Sequence, residues 1–154
     1  MKNRIRVICT AQDGAIKDEV IKRLQQVIQQ TYCRYFGKNN RLTFIWLNIP
    51  CGQAFLAAKP STTSVLQLPV PDLLADHIRH EFMTEVSAQW QGMTGCSKNE
   101  IILSCPDASY AKQYFNTVNE RFNVSTKTFI QVKLLLRLIM GKLKKGYLNT
   151  SINF

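Results

Sequence analysis

The residues of this chain best suited to chemistry are few and scattered. Three cations, Lys2, Arg4 and Arg6, alternate through the opening stretch MKNRIRVICTA. On a strand they share one face, where they could hold an anion or bring an amine towards a substrate. The stretch HIRHE places His77 and Glu81 one helical turn apart with His80 beside them, but it lacks the H-E-x-x-H spacing of a zinc helix and a third ligand. As a solvated polar helix face it needs no metal. The five cysteines, Cys9, Cys33, Cys51, Cys96 and Cys105, form no C-x-x-C pair, so they read as reduced thiols of a cytosolic protein. Cys51 and Cys105 fall near strand ends, with no base in sequence beside them to activate a thiolate. A glycine-rich phosphate loop, a nucleophile elbow and a zinc signature are all missing, so no motif calls for a cofactor.

Charge divides the chain unevenly. Residues 1–120 hold 13 basic and all 10 acidic groups, whereas residues 121–154 hold 7 basic groups and no acid. The surplus therefore belongs to the tail, and that makes the tail the candidate surface for an anionic partner. The opening residues turn polar too soon for a signal peptide, which leaves a cytoplasmic protein as the expectation. Met1 is expected to remain, because Lys2 is not a small residue.

The elements that must position these groups repeat. Arg4–Ala11 alternates as a half-buried strand, Lys17–Phe36 carries Val20, Leu24, Val27, Ile28 and Tyr32 at helical spacing, and Arg41–Ile49 is a near-continuous apolar strand. Ser64–Val70 reads as the next strand. Asp72 is placed to cap a helix with Leu74, Ile78, Phe82, Val86 and Trp90 at spacings of four, and Asn99–Cys105 is a fourth strand. Shifting the chain by 58 residues lays Tyr32 on Trp90, Gly37 on Gly95, Val7 on Val65 and Ile45 on Leu103. This predicts an α+β fold of two tandem β-α-β units, residues 4–49 and 64–105. They form a four-stranded mixed sheet with two helices on one face. The bend from Cys51 to Thr63 joins the units and offers backbone to a neighbouring subunit.

Three stretches, YFGKNNRLTFIWL, QAFLAAKPSTTSVLQL and GCSKNEIILSCPD, together resemble the tautomerase superfamily, and within it the branch of macrophage migration inhibitory factor. They carry Gly37-Lys38 at a helix end, Ala54-Phe55 through Pro60 in a small-residue bend, and Asp107 after the fourth strand. The likeness covers residues 4–107, so residues 1–107 are expected to form a tautomerase-like domain and residues 108–154 a basic amphipathic helical extension. The resemblance implies a homotrimer with a pocket for a small carbonyl or carboxylate ligand at each subunit boundary. It implies substrate-binding roles for Lys38, for Ser104 and for Ile102, which stands where the branch has an aromatic residue. The bland alternatives are a solvated helix-end lysine and ordinary strand alternation. In the family an N-terminal proline is the catalytic base, whereas this chain has Asn3 at the aligned position and no proline before Pro50. The base would then have to be Lys2, the leading candidate, the Met1 amine or a water, and proline-dependent isomerase activity is not expected.

In the extension, Ser109–Phe122 presents Tyr110, Tyr114, Phe115, Val118 and Phe122 on one broad helical face. The next segment sets Lys133, Arg137 and Lys144 on one stripe and Phe129, Val132, Leu135, Ile139 and Leu143 on another. It is too interrupted by charge to span a bilayer. Packing within its own oligomer is the plain reading, and an anionic membrane surface or an acidic partner is the alternative. With its aromatics on the apolar face and no known motif, it is not expected to bind nucleic acid.

Overall fold

The computed structural model describes residues 3–121 and 124–152, so Lys2 and Phe122 lie outside the described residues. Strand β1 (Asn3–Gln12), helix α1 (Asp18–Phe36) and strand β2 (Asn40–Ile49) form the first unit. Strand β5 (Ser64–Gln67), helix α2 (Asp76–Thr94) and strand β6 (Ile101–Ser104) form the second. Between them, β3 (Phe55–Leu56) and β4 (Lys59–Pro60) make a minimal hairpin. Helices α3 (Ala108–Glu120) and α4 (Val124–Lys145) follow, and then strand β7 (Asn149–Ser151).

The strands pair in the order β6-β5-β1-β2-β7. Within each unit the pairing is parallel, and β1 meets β5 antiparallel, so the sheet is mixed. Alternation puts Val7, Cys9, Leu42, Phe44, Trp46 and Leu66 on the buried face. Leu24 and Ile28 of α1, with Phe82, Val86 and Trp90 of α2, pack on that same face. Tyr32, Tyr35 and Phe36 surround Phe82 edge-on at centroid distances of 5.8, 5.3 and 4.9 Å, while Trp46 stacks on Trp90 at 5.8 Å. The α+β class and the placement of both helices on one face are therefore as the sequence predicts.

The 58-residue shift carries α1 onto α2 residue for residue, and Gly37 and Gly95 both end their helices with φ of 93° and 74°. Thr31 and Gln89, equivalent by that shift, hydrogen-bond to each other across the helix pair. The strands do not follow the same shift. Cys9 lies directly opposite Leu66 and both are fully buried, so Val65 points with Thr10 to the other face while Val7 points to the helices. Matching Val7 with Val65, or Ile45 with Leu103, thus pairs residues on opposite faces, because a one-residue slip inverts a strand.

Three further details differ from the sequence reading. The sheet has five strands, because β7 adds to β2 in parallel. Its Asn149 and Thr150 are buried polar residues held by ladder bonds, and they show no apolar alternation to give the strand away. Pro69 ends regular pairing before Val70, which lies buried and meets Asp107 in an isolated bridge. Asp72 does not cap α2, which starts four residues later; its carboxylate accepts the Ser109 N–H at 2.9 Å, at the start of α3.

Candidate functional site

The sheet face turned away from α1 and α2 carries the groups of interest. Register aligns Ile8, Gln67 and Ser104 in a row across β1, β5 and β6, with Arg6 two residues along β1. Helix α3 crosses this end of the sheet and lays Tyr110, Ala111, Tyr114 and Phe115 over the row. A cavity of about 180 Å³ remains between them, lined also by Pro69 and Pro106. The Arg6 guanidinium sits over the Phe115 ring at 5.4 Å, a cation–π contact that fixes both walls.

A second cavity, of about 590 Å³, shares Arg6, Pro69, Ala111 and Phe115 with the first and runs on to Asn3, Arg4, Lys112 and Asn116. The two form one path from Ser104 to the head of β1. Its lining holds three cations (Arg4, Arg6 and Lys112) and neutral donors from Asn3, Gln67, Ser104, Asn116, Tyr110 and Tyr114, but no carboxylate among the described residues. A cavity walled by one sign of charge concentrates ligands of the other sign, so this path suits a small anion.

The expected site residues are distributed unevenly around it. Ser104 lines the smaller cavity. Ile102 shares its sheet face two residues away and is 47% exposed, but it lines neither cavity. Lys38 is exposed in the turn between α1 and β2, next to Asn39, whose carbonyl accepts the Asn3 N–H at 2.9 Å. It shares the sheet end of Asn3 but lies three strands across from Ser104, roughly 14 Å at the usual strand spacing. A single chain does not bring Lys38 and Ser104 together. Gln67, not among the expected residues, also lines the smaller cavity; the SVLQ alternation marks its sheet face, but only the β1–β5 register sets it beside Ile8.

Asp107 has a structural role. Its carboxylate accepts a 2.6 Å bond from Arg79 of α2, and the same guanidinium donates to the Cys105 carbonyl, tying the end of β6 to the helix. Burial pushes the Cys105 thiol up to about 12 against a smaller opposing pull from Arg79, and burial likewise raises Cys9. Neither is a thiolate near neutral pH, so neither is a nucleophile beside this cavity. Among the described residues no group of three or more histidine, cysteine or acidic side chains could hold a metal ion, His77, His80 and Glu81 included.

A further cavity of about 550 Å³ opens at the opposite end of β1. Two of its three carboxylates are engaged within the fold: Asp18 accepts the Tyr147 hydroxyl at 2.6 Å, and Asp13 accepts Asn48 at 3.2 Å and Lys145 at 3.3 Å. These bonds fasten the end of α4 to the body.

No family model matches the chain by sequence, and no curated protein matches it. Solved structures do match in shape. A fused 4-OT asymmetric trimer superposes with a TM-score of 0.59 at 11% identity, covering 67% of this chain and 85% of that one. A macrophage migration inhibitory factor from Toxoplasma gondii gives 0.55 at 10% identity, covering 67% and 89%. A protein described as N1, a member of the cis-3-chloroacrylic acid dehalogenase family, gives 0.55 at 7% identity over 82% of this chain and 99% of that one. At such identities the likeness is one of fold: this chain has the architecture of tautomerase-superfamily proteins.

Proposed function

We propose that the chain is a tautomerase-like protein that binds a small carbonyl- or carboxylate-bearing molecule at a subunit boundary and lacks the family's proline-dependent catalysis. The observation that carries this is the path from Ser104 to Asn3, walled by Arg4, Arg6 and Lys112 without a carboxylate among the described residues. A homotrimer is the assembly that suits it. One chain supplies the path from Ser104 to Asn3, and a neighbour would supply the Lys38 that lies three strands from Ser104 within one sheet. The exposed Phe55 of the β3–β4 hairpin offers a contact for that neighbour.

Asn3 cannot serve as the base, because an amide does not accept a proton near pH 7. The Lys2 amine would need its pKa lowered by about three units, roughly 4 kcal/mol, to do so. Any isomerase-type activity is therefore expected to be very weak. A second reading, a non-catalytic module acting through the basic tail on an anionic surface or acidic partner, is favoured by the bare apolar side of α4.

The test is a titration of the purified protein with phenylpyruvate and simple halo-acids, alongside a turnover assay with phenylpyruvate enol. Saturable carboxylate binding that Arg6→Gln weakens about tenfold, with near-background turnover, supports the first reading. Family-level enol turnover by the intact chain, or no carboxylate binding at all, overturns it.

A further inference from the structure

Helix α4 carries two apolar faces, and only one of them is used. At 100° per residue, Ile130, Leu134, Leu138 and Gly141 share one side. Leu138 is buried there, and Gly141 lies so close to Asn149 of β7 that no side chain fits between them. The opposite side carries Phe129, Val132, Leu136, Ile139 and Leu143 at alternating spacings of three and four, with Leu135 and Met140 at its margins. All seven are between 44% and 77% exposed. An unbroken apolar stripe of this length on a monomer surface marks a docking site.

We propose that this outer face of α4 docks on an anionic phospholipid surface. Charge makes the choice. The helix holds six cations and no acid, with Lys133, Arg137 and Lys144 along one flank of the stripe and Lys142 along the other. A second copy offers the same basic helix, or a body whose residues 1–120 still carry a net positive charge, so face-to-face pairing sets like charges together. An acidic protein groove grips a helix by a narrow line of anchors. Here the seven side chains fan over roughly 140° of the helix circumference, a convex surface better covered by a plane. Among the described residues no helix is long and apolar enough to cross a membrane, so α4 lies along the surface, its apolar side chains at the acyl boundary and its lysines reaching the phosphates. This docking rests on the second reading, action through the basic tail, and not on the ligand path.

The test is cosedimentation of the full chain with vesicles of phosphatidylcholine alone and with 30% phosphatidylserine, with sedimentation velocity run on the same samples without lipid. Binding to the anionic vesicles is expected to be on the order of 100-fold tighter, at roughly fivefold per engaged cation, and to fall with added salt. Lys133→Gln with Lys144→Gln is expected to weaken it about 25-fold on the same scale. Leu136→Glu with Leu143→Glu is expected to abolish it without changing the assembly's mass, while Arg6→Gln and Ser104→Ala leave it intact. Equal binding to both vesicles, or none, overturns the proposal. A mass change in the Leu136→Glu/Leu143→Glu variant with vesicle binding retained assigns the face to a second copy. Binding to polyglutamate as tight as to the anionic vesicles assigns it to an acidic polypeptide. Either result overturns the lipid assignment.

Discussion

The Cys105 thiol offers a measurable check on the wall of the candidate site, since its neighbours Ser104 and Pro106 both line the smaller cavity. Raising the pH is the perturbation. In the unfolded chain the thiol ionises near its ordinary value of 9.0, but in the fold burial holds it protonated up to about 12. A group whose folded pKa is raised contributes stability that is complete below the unfolded pKa and is lost as pH climbs through the folded one. Between pH 9 and 12 the unfolded state therefore binds one proton fewer at this position. Stability falls by about 1.4 kcal/mol per pH unit, or about 3 kcal/mol by pH 11. Cys9, raised by burial, adds a slope of the same sign above pH 9, and Tyr32 and Tyr147, both raised by burial, add theirs above pH 10. Urea unfolding midpoints measured from pH 7 to 11 on the wild type and on Cys105→Ala resolve the one-proton difference. The variant is expected to be about 1 kcal/mol less stable at pH 7 for its lost packing, and the more stable protein by pH 11. Parallel curves would show that the thiol ionises as freely in the fold as out of it. The end of β6 would then be wet, and a Cys105 nucleophile beside Ser104 would have to be considered again.

Two other predictions concern the attachment of α4. Gly141→Ala places a methyl group against the Asn149 side chain and carbonyl; it is expected to displace β7 and cost about 1–3 kcal/mol, with amide exchange rising at Trp46–Asn48 in a hydrogen-exchange map. Tyr147→Phe removes the 2.6 Å bond to Asp18 and is expected to lower stability by about 1–2 kcal/mol, with faster exchange in the last turns of α4 and little change in the sheet centre. Unchanged exchange in either region would mean that α4 is held by something else.

What the sequence discloses depends on periodicity. Leu24, Ile28, Phe82, Val86 and Trp90 recur at helical intervals, so both long helices and their buried faces can be read directly. The strand residues alternate, but alternation fixes only relative facing. A helix-derived shift of 58 could not reveal the one-residue slip that sets Val65 against Val7. Strand β7 has no periodicity to read, because Asn149 and Thr150 are buried through backbone pairing. Of the candidate site, Arg4, Arg6 and Ser104 are visible as alternating strand residues. Gln67 alternates as well, but its place beside Ile8 depends on strand register, and the covering of Tyr110, Tyr114 and Phe115 depends on where α3 crosses the sheet. In α4, the stripe of Phe129, Val132, Ile139 and Leu143 is the stronger apolar pattern, yet it is Ile130, Leu134 and Leu138 that turn inward. Periodicity alone could not choose between the two faces.

The pairing of β7 with β2 also matters during synthesis. Trp46–Asn48 of β2 find their partners Asn149–Ser151 about a hundred residues later in the chain, which at 5–20 residues per second takes roughly 5–20 s to translate. Over that interval both β-α-β units can complete their local pairings, while this edge of the sheet stays open, with unpaired N–H and C=O groups facing out. The nascent protein is thus a sheet with a temporarily reactive margin, exposed to strand addition from any neighbouring chain on the same message. Slowing translation between residues 50 and 148 lengthens that exposure without altering a single contact of the finished fold.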